Sequence, residues 1–420
     1  MVELKKEKMA MQMSSKFPMY KNFEPRVPVW CVTPNEGRTI HRFFETSPFS
    51  PSGRYMGLFR MPFEDRNPKP GEKGQIVLVD LEEGNEKIVA ESCGWEPQVG
   101  ANVQWGKDDT QLFYNDVDAA KWKPFGVKLN PFTGEKMKMD GCIFMLSRDG
   151  RLAATTCPMR ARLTQLGYGV ILPDDRVPRN VEIPDDDGLY ITDTATGKCR
   201  LLVSIKEMIE RAEPKLNMDE YQNGEFYGFQ CKWNPQGTRL IFVLRWISRD
   251  GKPIKQQIIT MKNDGTDIHV ALSAREWAKG GHHISWCPDG ENISMNLNLD
   301  GTGLRFVKYK YDGTNMHKIL EHVTGSGHPT VHPDGKHILT DAYTGEIVAY
   351  EDGSVPIRLV DMETGKVEVL VRIRTKTPYD GTLRVDPHPA WDYSYKRIAF
   401  NAYADLTRRV YVADLSGFVG

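Results

Sequence analysis

Two series of short turns alternate along this chain, and together they leave few folds open. The first closes an alternating apolar run with a D-x-x-G type turn, at Asp80–Gly84, Asn130–Gly134, Asp193–Gly197, Asn263–Gly265, Tyr311–Gly313, Asp361–Gly365 and Asp414–Gly417. The second reads W-x-P-D-G in its fullest form. It occurs at Ser50–Gly53, Trp105–Asp108, Ser147–Gly150, Trp233–Gly237, Trp286–Gly290 and Val331–Gly335, with Trp391–Ser394 as a degenerate seventh. Gly and Asp supply the positive φ and the local side-chain hydrogen bonds of tight turns. Two turns per unit mean two hairpins per unit, and self-similarity at roughly 45–50 residues with four strands each marks propeller blades. The expectation is therefore an all-β, seven-bladed β-propeller.

That repeat overrides the prior from length, under which 420 residues would suggest two or three domains. It predicts one propeller domain over residues 25–420, preceded by an extension at 1–24. The last unit lacks one strand, while Val27–Val32 near the start is a strand without a unit. Pairing the N-terminal strand with the C-terminal blade closes the ring and removes both exposed edges. Two segments break the period. Residues 158–188 are inserted between the hairpins of the third unit, and 205–221 show helical spacing after Ser204, a capping residue.

A net charge of −1, from 55 basic and 56 acidic residues, gives no global field that argues for nucleic acid. No apolar run reaches membrane-spanning length. The first residues lack the apolar core and small-residue cleavage site of a secretion signal. The expected location is the cytoplasm, or the periplasm if such a signal has been removed. Seven scattered cysteines without C-x-x-C spacing read as buried thiols.

Of ten histidines, only His41 precedes residue 269. Aligned on the W-x-P-D-G turn, the position three residues before the Trp forms one column: Thr46, Asn102, Ile143, Gln230, His283, His328 and His388. Equivalent positions on successive blades surround the central funnel, so three imidazoles and a carboxamide are expected to converge. Neutral imidazole is the commonest transition-metal ligand, and this donor set suits zinc or manganese. Asp386, two residues before His388, joins the candidates. His282, His332 and His337 read as turn or strand-edge residues, and His269, His317 and His322 as outer-strand ones. His41-Arg42 lies upstream of the same funnel entrance. Arg160, Arg162 and Arg245 are candidates for binding carboxylates or sulfates. Arg42, Asn102 and Tyr227 are further substrate-binding candidates. The acidic turns of the insertion lack the spacing of a calcium loop.

Thr39–Phe44 leading to Phe49–Gly53, with Gly281–Gly290 and Asp386–Trp391, resembles the oligogalacturonate lyases, seven-bladed propeller polysaccharide lyases related to the propeller ulvan lyases. The resemblance implies a divalent metal, manganese first and zinc or calcium as alternatives, held by His283 and His388. The chain departs from the family's H-P-H-P motif, since Asp386 replaces the first histidine, and Leu383 stands where a metal-binding glutamine belongs. It implies a lyase that cleaves acidic, uronate-containing oligosaccharides by metal-assisted β-elimination. In that scheme the metal set is His283, His328, His388, Gln230 and Asp386. His41 is the general base, Tyr168 the acid, and Arg245 a catalytic cation beside Arg160 and Arg162. No nucleic acid or membrane partner is expected, and the chain would be a monomer or weak homodimer. The alternative is a non-catalytic, TolB-like propeller that holds a peptide, protein or carbohydrate in its funnel. A propeller glycoside hydrolase needs two facing carboxylates, and no Asp/Glu pair recurs in the column.

Overall fold

The computed structural model describes residues 13–379 and 381–419. They form seven four-stranded antiparallel sheets, six of them taking their strands in chain order from the axis outward, and these are the blades of the expected propeller. Blade 1 runs from Thr39–Ile40 to Asn85–Ser92, and blade 4 from Gly224–Trp233 to His269–Leu272. Blade 7 holds three C-terminal strands plus Val29–Cys31, which pairs with Thr407–Asp414 through Trp30 and Val412. Of the expected 1–24 extension, residues 1–12 lie outside the described residues; Met13 and Phe17 are buried against blades 1 and 7.

The runs expected to alternate bury both faces almost continuously, as at Gly74–Asp80 and Arg239–Ser248, because each sheet is covered by a blade on either side. Phe59, Ile76 and Leu78 of blade 1 pack on Val103, Trp105 and Leu112 of blade 2, and Leu189 and Ile191 of blade 3 on Phe226 and Phe242 of blade 4. The core is thus a set of layers between blades, and polar side chains are left to the axis. The candidate connection at 205–221 is shorter in helix than its spacing suggested. The helix is Ile205–Arg211, opened by a Ser204–Glu207 capping box, and Pro214 prevents its continuation.

Three features bring chemistry to one end of the axis. The insertion joins Leu152–Thr155 to Gly188–Asp193, so it lies at the end where innermost strands begin, the entry face. The W-x-P-D-G turns lie at the other end, the turn face. Between them the innermost strand of blade 1 leaves its ladder: after Thr39–Ile40 pairs with Phe59–Arg60, regular pairing returns only at the Phe49–Met56 bridge. The excursion puts Phe43 and Phe44, both buried, against the rings of His283, His328 and His388. These two rings plug the channel and separate its mouths.

Candidate functional site

Three of the seven column residues occupy backbone that ordinary strands do not offer. Asn102, His283 and His388 have φ of 56°, 56° and 49°, strained for residues with a Cβ and characteristic of functional positions. Bulges interrupt the innermost strands of blades 4 and 5, between Gly228 and Cys231 and between His282 and Ser285. They redirect side chains that a regular strand would alternate. In blade 6 the residue before His328 is Gly327, where a Cβ would fall 2.1 Å from the Asp341 carboxylate. Glycine is what lets Asp341 reach the histidine.

The three histidines meet at the axis. Ring centroids of His283 and His328 are 3.9 Å apart, and those of His328 and His388 are 4.4 Å apart. Their hydrogen bonds fix the proton on each. His283 Nδ1 is 2.7 Å from the Gly327 carbonyl, His388 Nδ1 3.0 Å from the Arg42 carbonyl, and His328 Nδ1 2.9 Å from the Asp341 carboxylate. Those partners accept only, so each Nδ1 donates, and the neutral rings among them keep a lone pair on Nε2. Burial, together with the neighbouring imidazoles, holds His283 and His388 well below the usual imidazole pKa, and both are neutral.

Few donors face these lone pairs. The Tyr343 hydroxyl is 3.1 Å from both His283 Nε2 and His328 Nε2 and can donate to one. Among the described residues, His388 Nε2 and Asp386 Oδ1 are buried without a hydrogen-bond partner. Donor atoms of His328, Asp386 and His388 all lie within 4.8 Å of one another. An unsatisfied buried polar atom costs about 1–3 kcal/mol, and several converging acceptors are what a divalent cation requires. The His328–Asp341 pair is the carboxylate–histidine arrangement that orients metal ligands. His283 stands beside this set, and burial raises the Asp386 carboxyl pKa, with Arg384 opposing the shift.

Above the cluster opens a cavity of about 360 Å³. Its wall includes Gln230, Arg245, Tyr168, His282, His283, Tyr343 and Arg384. Arg245 donates to the Thr164 carbonyl at 2.6 Å and to Gln165 Oε1 at 2.9 Å, and its guanidinium lies 3.8 Å from the Phe229 ring centre. Burial lowers its pKa to about 10. Arg384 donates to Asp386 Oδ2 at 3.2 Å. Burial, reinforced by Asp386, raises the Tyr168 pKa, so its hydroxyl keeps its proton.

Other expected site residues lie elsewhere. His41 is 1% exposed, beside the backbone of Pro387 and His388, with neither ring nitrogen in a well-formed hydrogen bond; burial lowers its pKa to about 3. It lies off the cavity wall. Arg42 is a buried brace, bonding Asn102 Oδ1 at 2.8 Å, Thr46 Oγ1 and the Phe144 carbonyl. Asn102 in turn donates to Glu96 at 2.8 Å. Arg160 pairs with Asp187, and Arg162 with the Leu172 carbonyl and Asp174, inside the insertion. Tyr227 is buried near Asn180 and Arg179, away from the cavity.

Sequence reasoning passed over Tyr343, Asp341, Arg384 and His282. His282 lines the cavity rather than a turn, because the bulge sets it beside His283, with Nδ1 atoms 2.7 Å apart. Arg384 and Asp386 share an i, i+2 spacing, the one local signal from which their pairing could be read. Nothing local marked Tyr343 or Asp341.

No protein-family model matches the chain, and no curated protein matches it. Among solved structures it is similar to an oligogalacturonate lyase in complex with manganese, with a TM-score of 0.64, 15% identity, and 95% of this chain and 96% of that chain covered. It is equally similar to an oligogalacturonate lyase from Vibrio parahaemolyticus, with a TM-score of 0.64 at 13% identity and the same coverage. The β-propeller domain of a trilobed protease from Pyrococcus furiosus follows, at 0.50 and 11%, over 89% of this chain and 96% of that one. At such identities the likeness shows the fold.

Proposed function

We propose that the chain is a metal-assisted lyase of uronate-containing oligosaccharides. The observation that carries this reading is the surplus of acceptors at the axis, where His388 Nε2 and Asp386 Oδ1 are buried unpaired beside His328. His328, His388 and Asp386 would hold a divalent metal; their two imidazoles and one carboxylate suit manganese or zinc. When bound, such an ion would polarise a uronate carboxylate and acidify the neighbouring C5–H. The likeness to a manganese-bound oligogalacturonate lyase supports the same choice of metal and substrate.

The remaining steps fall to groups facing the cavity. Arg245 and Arg384 offer cationic donors to substrate carboxylates. His283 keeps an Nε2 lone pair outside the three-ligand set and would accept the C5 proton as the C4–C5 double bond forms and the C4–O4 bond breaks. Tyr168, protonated and on the same wall, would return a proton to O4. His41, sealed from the cavity, would support the His388 backbone instead. The test is ultraviolet absorbance of the unsaturated product from oligogalacturonate, with chelated and manganese-reloaded protein. Activity should vanish on chelation and return on reloading. Equal activity in both states would exclude metal assistance. His283→Ala should keep the metal and lose turnover; loss of both would make His283 a ligand.

A further inference from the structure

The turn face carries a second histidine cluster, in the first turn of blade 6. Val331-His332-Pro333-Asp334-Gly335-Lys336-His337 is the local form of the W-x-P-D-G repeat. In blade 5 the matching positions are Cys287, Asp289 and Asn292, and Asn292 Nδ2 closes that turn on Asp289 Oδ2 at 2.8 Å. In blade 4, Asn234 Nδ2 donates to Thr238 Oγ1 at 3.0 Å. The fold therefore asks for a polar clasp here and does not ask for two imidazoles.

Three metal-ligating side chains converge on this turn. His332 Nε2 is 3.1 Å from the Tyr395 carbonyl, which accepts only, so Nε2 donates and Nδ1 is turned to Asp334. That nitrogen accepts the Asp334 N–H at 3.2 Å yet also faces Asp334 Oδ2 at 3.0 Å. A proton on Nδ1 or a metal cation between the two atoms makes that contact attractive, and the site offers room for either. His337 Nδ1 reaches the same Oδ2 at 2.7 Å, and donor atoms of all three residues fall within 4.8 Å of one another. Bonds of about 2.0–2.2 Å to a tetrahedral zinc space ligands about 3.2–3.6 Å apart, so the cluster needs only a small opening. The Tyr395 carbonyl fixes the His332 tautomer, as outer partners of metal-bound histidines do.

We propose that His332, Asp334 and His337 form a second site for a divalent transition metal, with two imidazoles, one carboxylate and a position open to water. His332 is buried, while Asp334 and His337 are partly exposed, so the ion reaches the site from solvent. Bound there, it would tie together the first two strands of blade 6 at the face opposite the cavity.

The test is zinc titration of chelator-stripped protein, with bound zinc counted by elemental analysis. His337→Ala should lower the count by one equivalent relative to the unaltered chain. Asp334→Asn, which keeps the oxygen accepting the turn's backbone N–H groups, should do the same. An unchanged zinc count in both folded variants would overturn the proposal. His388→Ala reports separately on the channel ions, so either site can fail without the other.

Discussion

The two mouths of the channel are built from one repeat, yet they hold different chemistry. The entry mouth gathers neutral imidazoles, two arginines and two tyrosines over unpaired acceptors. The turn mouth, a cavity of about 350 Å³, is walled by Trp105, Trp233, Trp286 and Trp391 and floored by Lys232 and Glu45. There the charge is neutralised: the Lys232 ammonium pairs with Glu45, donates to the Ile284 carbonyl at 2.6 Å, and lies over Phe43 and Phe44. Repeat-defining residues belong to the turn mouth because the turn itself fixes them. The entry mouth is free to vary, since its residues come from strand starts and long connections, where function collects.

Breaking that division should have effects of graded size. Lys232→Met leaves Glu45 buried without its partner and should cost about 3–5 kcal/mol. Urea unfolding would read this loss, and adding Glu45→Leu should restore most of it. If Lys232→Met unfolds like the unaltered chain, the plug is not held by that pair. Asp341→Asn takes the carboxylate from His328 Nδ1 and should weaken metal binding about 10–100-fold, measured by competition with a chromophoric chelator.

A pH effect should follow from Glu96, which accepts from Asn102 and the Gly169 N–H. Burial raises its pKa from 4.5 to about 7, against those hydrogen bonds. The folded state then binds the proton more tightly than the unfolded chain. Its contribution is present below pH 4.5 and is lost as pH rises toward about 7. Glu96→Gln should flatten that part of a stability-versus-pH profile, and an unaltered slope would assign it to other groups. The smallest effect belongs to the turn mouth: Arg148→Ala, at its exposed rim, should shift stability by no more than about 0.5 kcal/mol and leave turnover unchanged. Arg245→Ala at the entry mouth should lower turnover.

The blades and the histidine column were legible because a turn ruler needs only short-range signals: Asp, Gly, Pro and Trp at fixed offsets. The ruler said nothing of the path at His41. His41–Phe44 reads as strand, and nothing local reveals that blade 1 leaves its ladder to plug the axis. His282 was hidden by the period-2 rule, which sends neighbours to opposite faces unless a bulge and a positive φ at His283 intervene. Arg160 and Arg162 read as candidates for a ligand's carboxylate because their partners, Asp187, Asp174 and the Leu172 carbonyl, belong to the insertion's own folding. Tyr343 and Asp341 sit in the connection after the second strand of blade 6, where Asp341 meets His328 of the same blade and Tyr343 reaches across to His283 of blade 5.

The central claim is that the axis cluster, and no other part of the propeller, holds the metal on which turnover depends. Tight-binding manganese and unsaturated-product formation, measured together in the unaltered chain and in His388→Ala, test it most directly. The account predicts that the variant remains folded and loses both the tightly held manganese and the product. A His388→Ala protein that keeps full activity would contradict it.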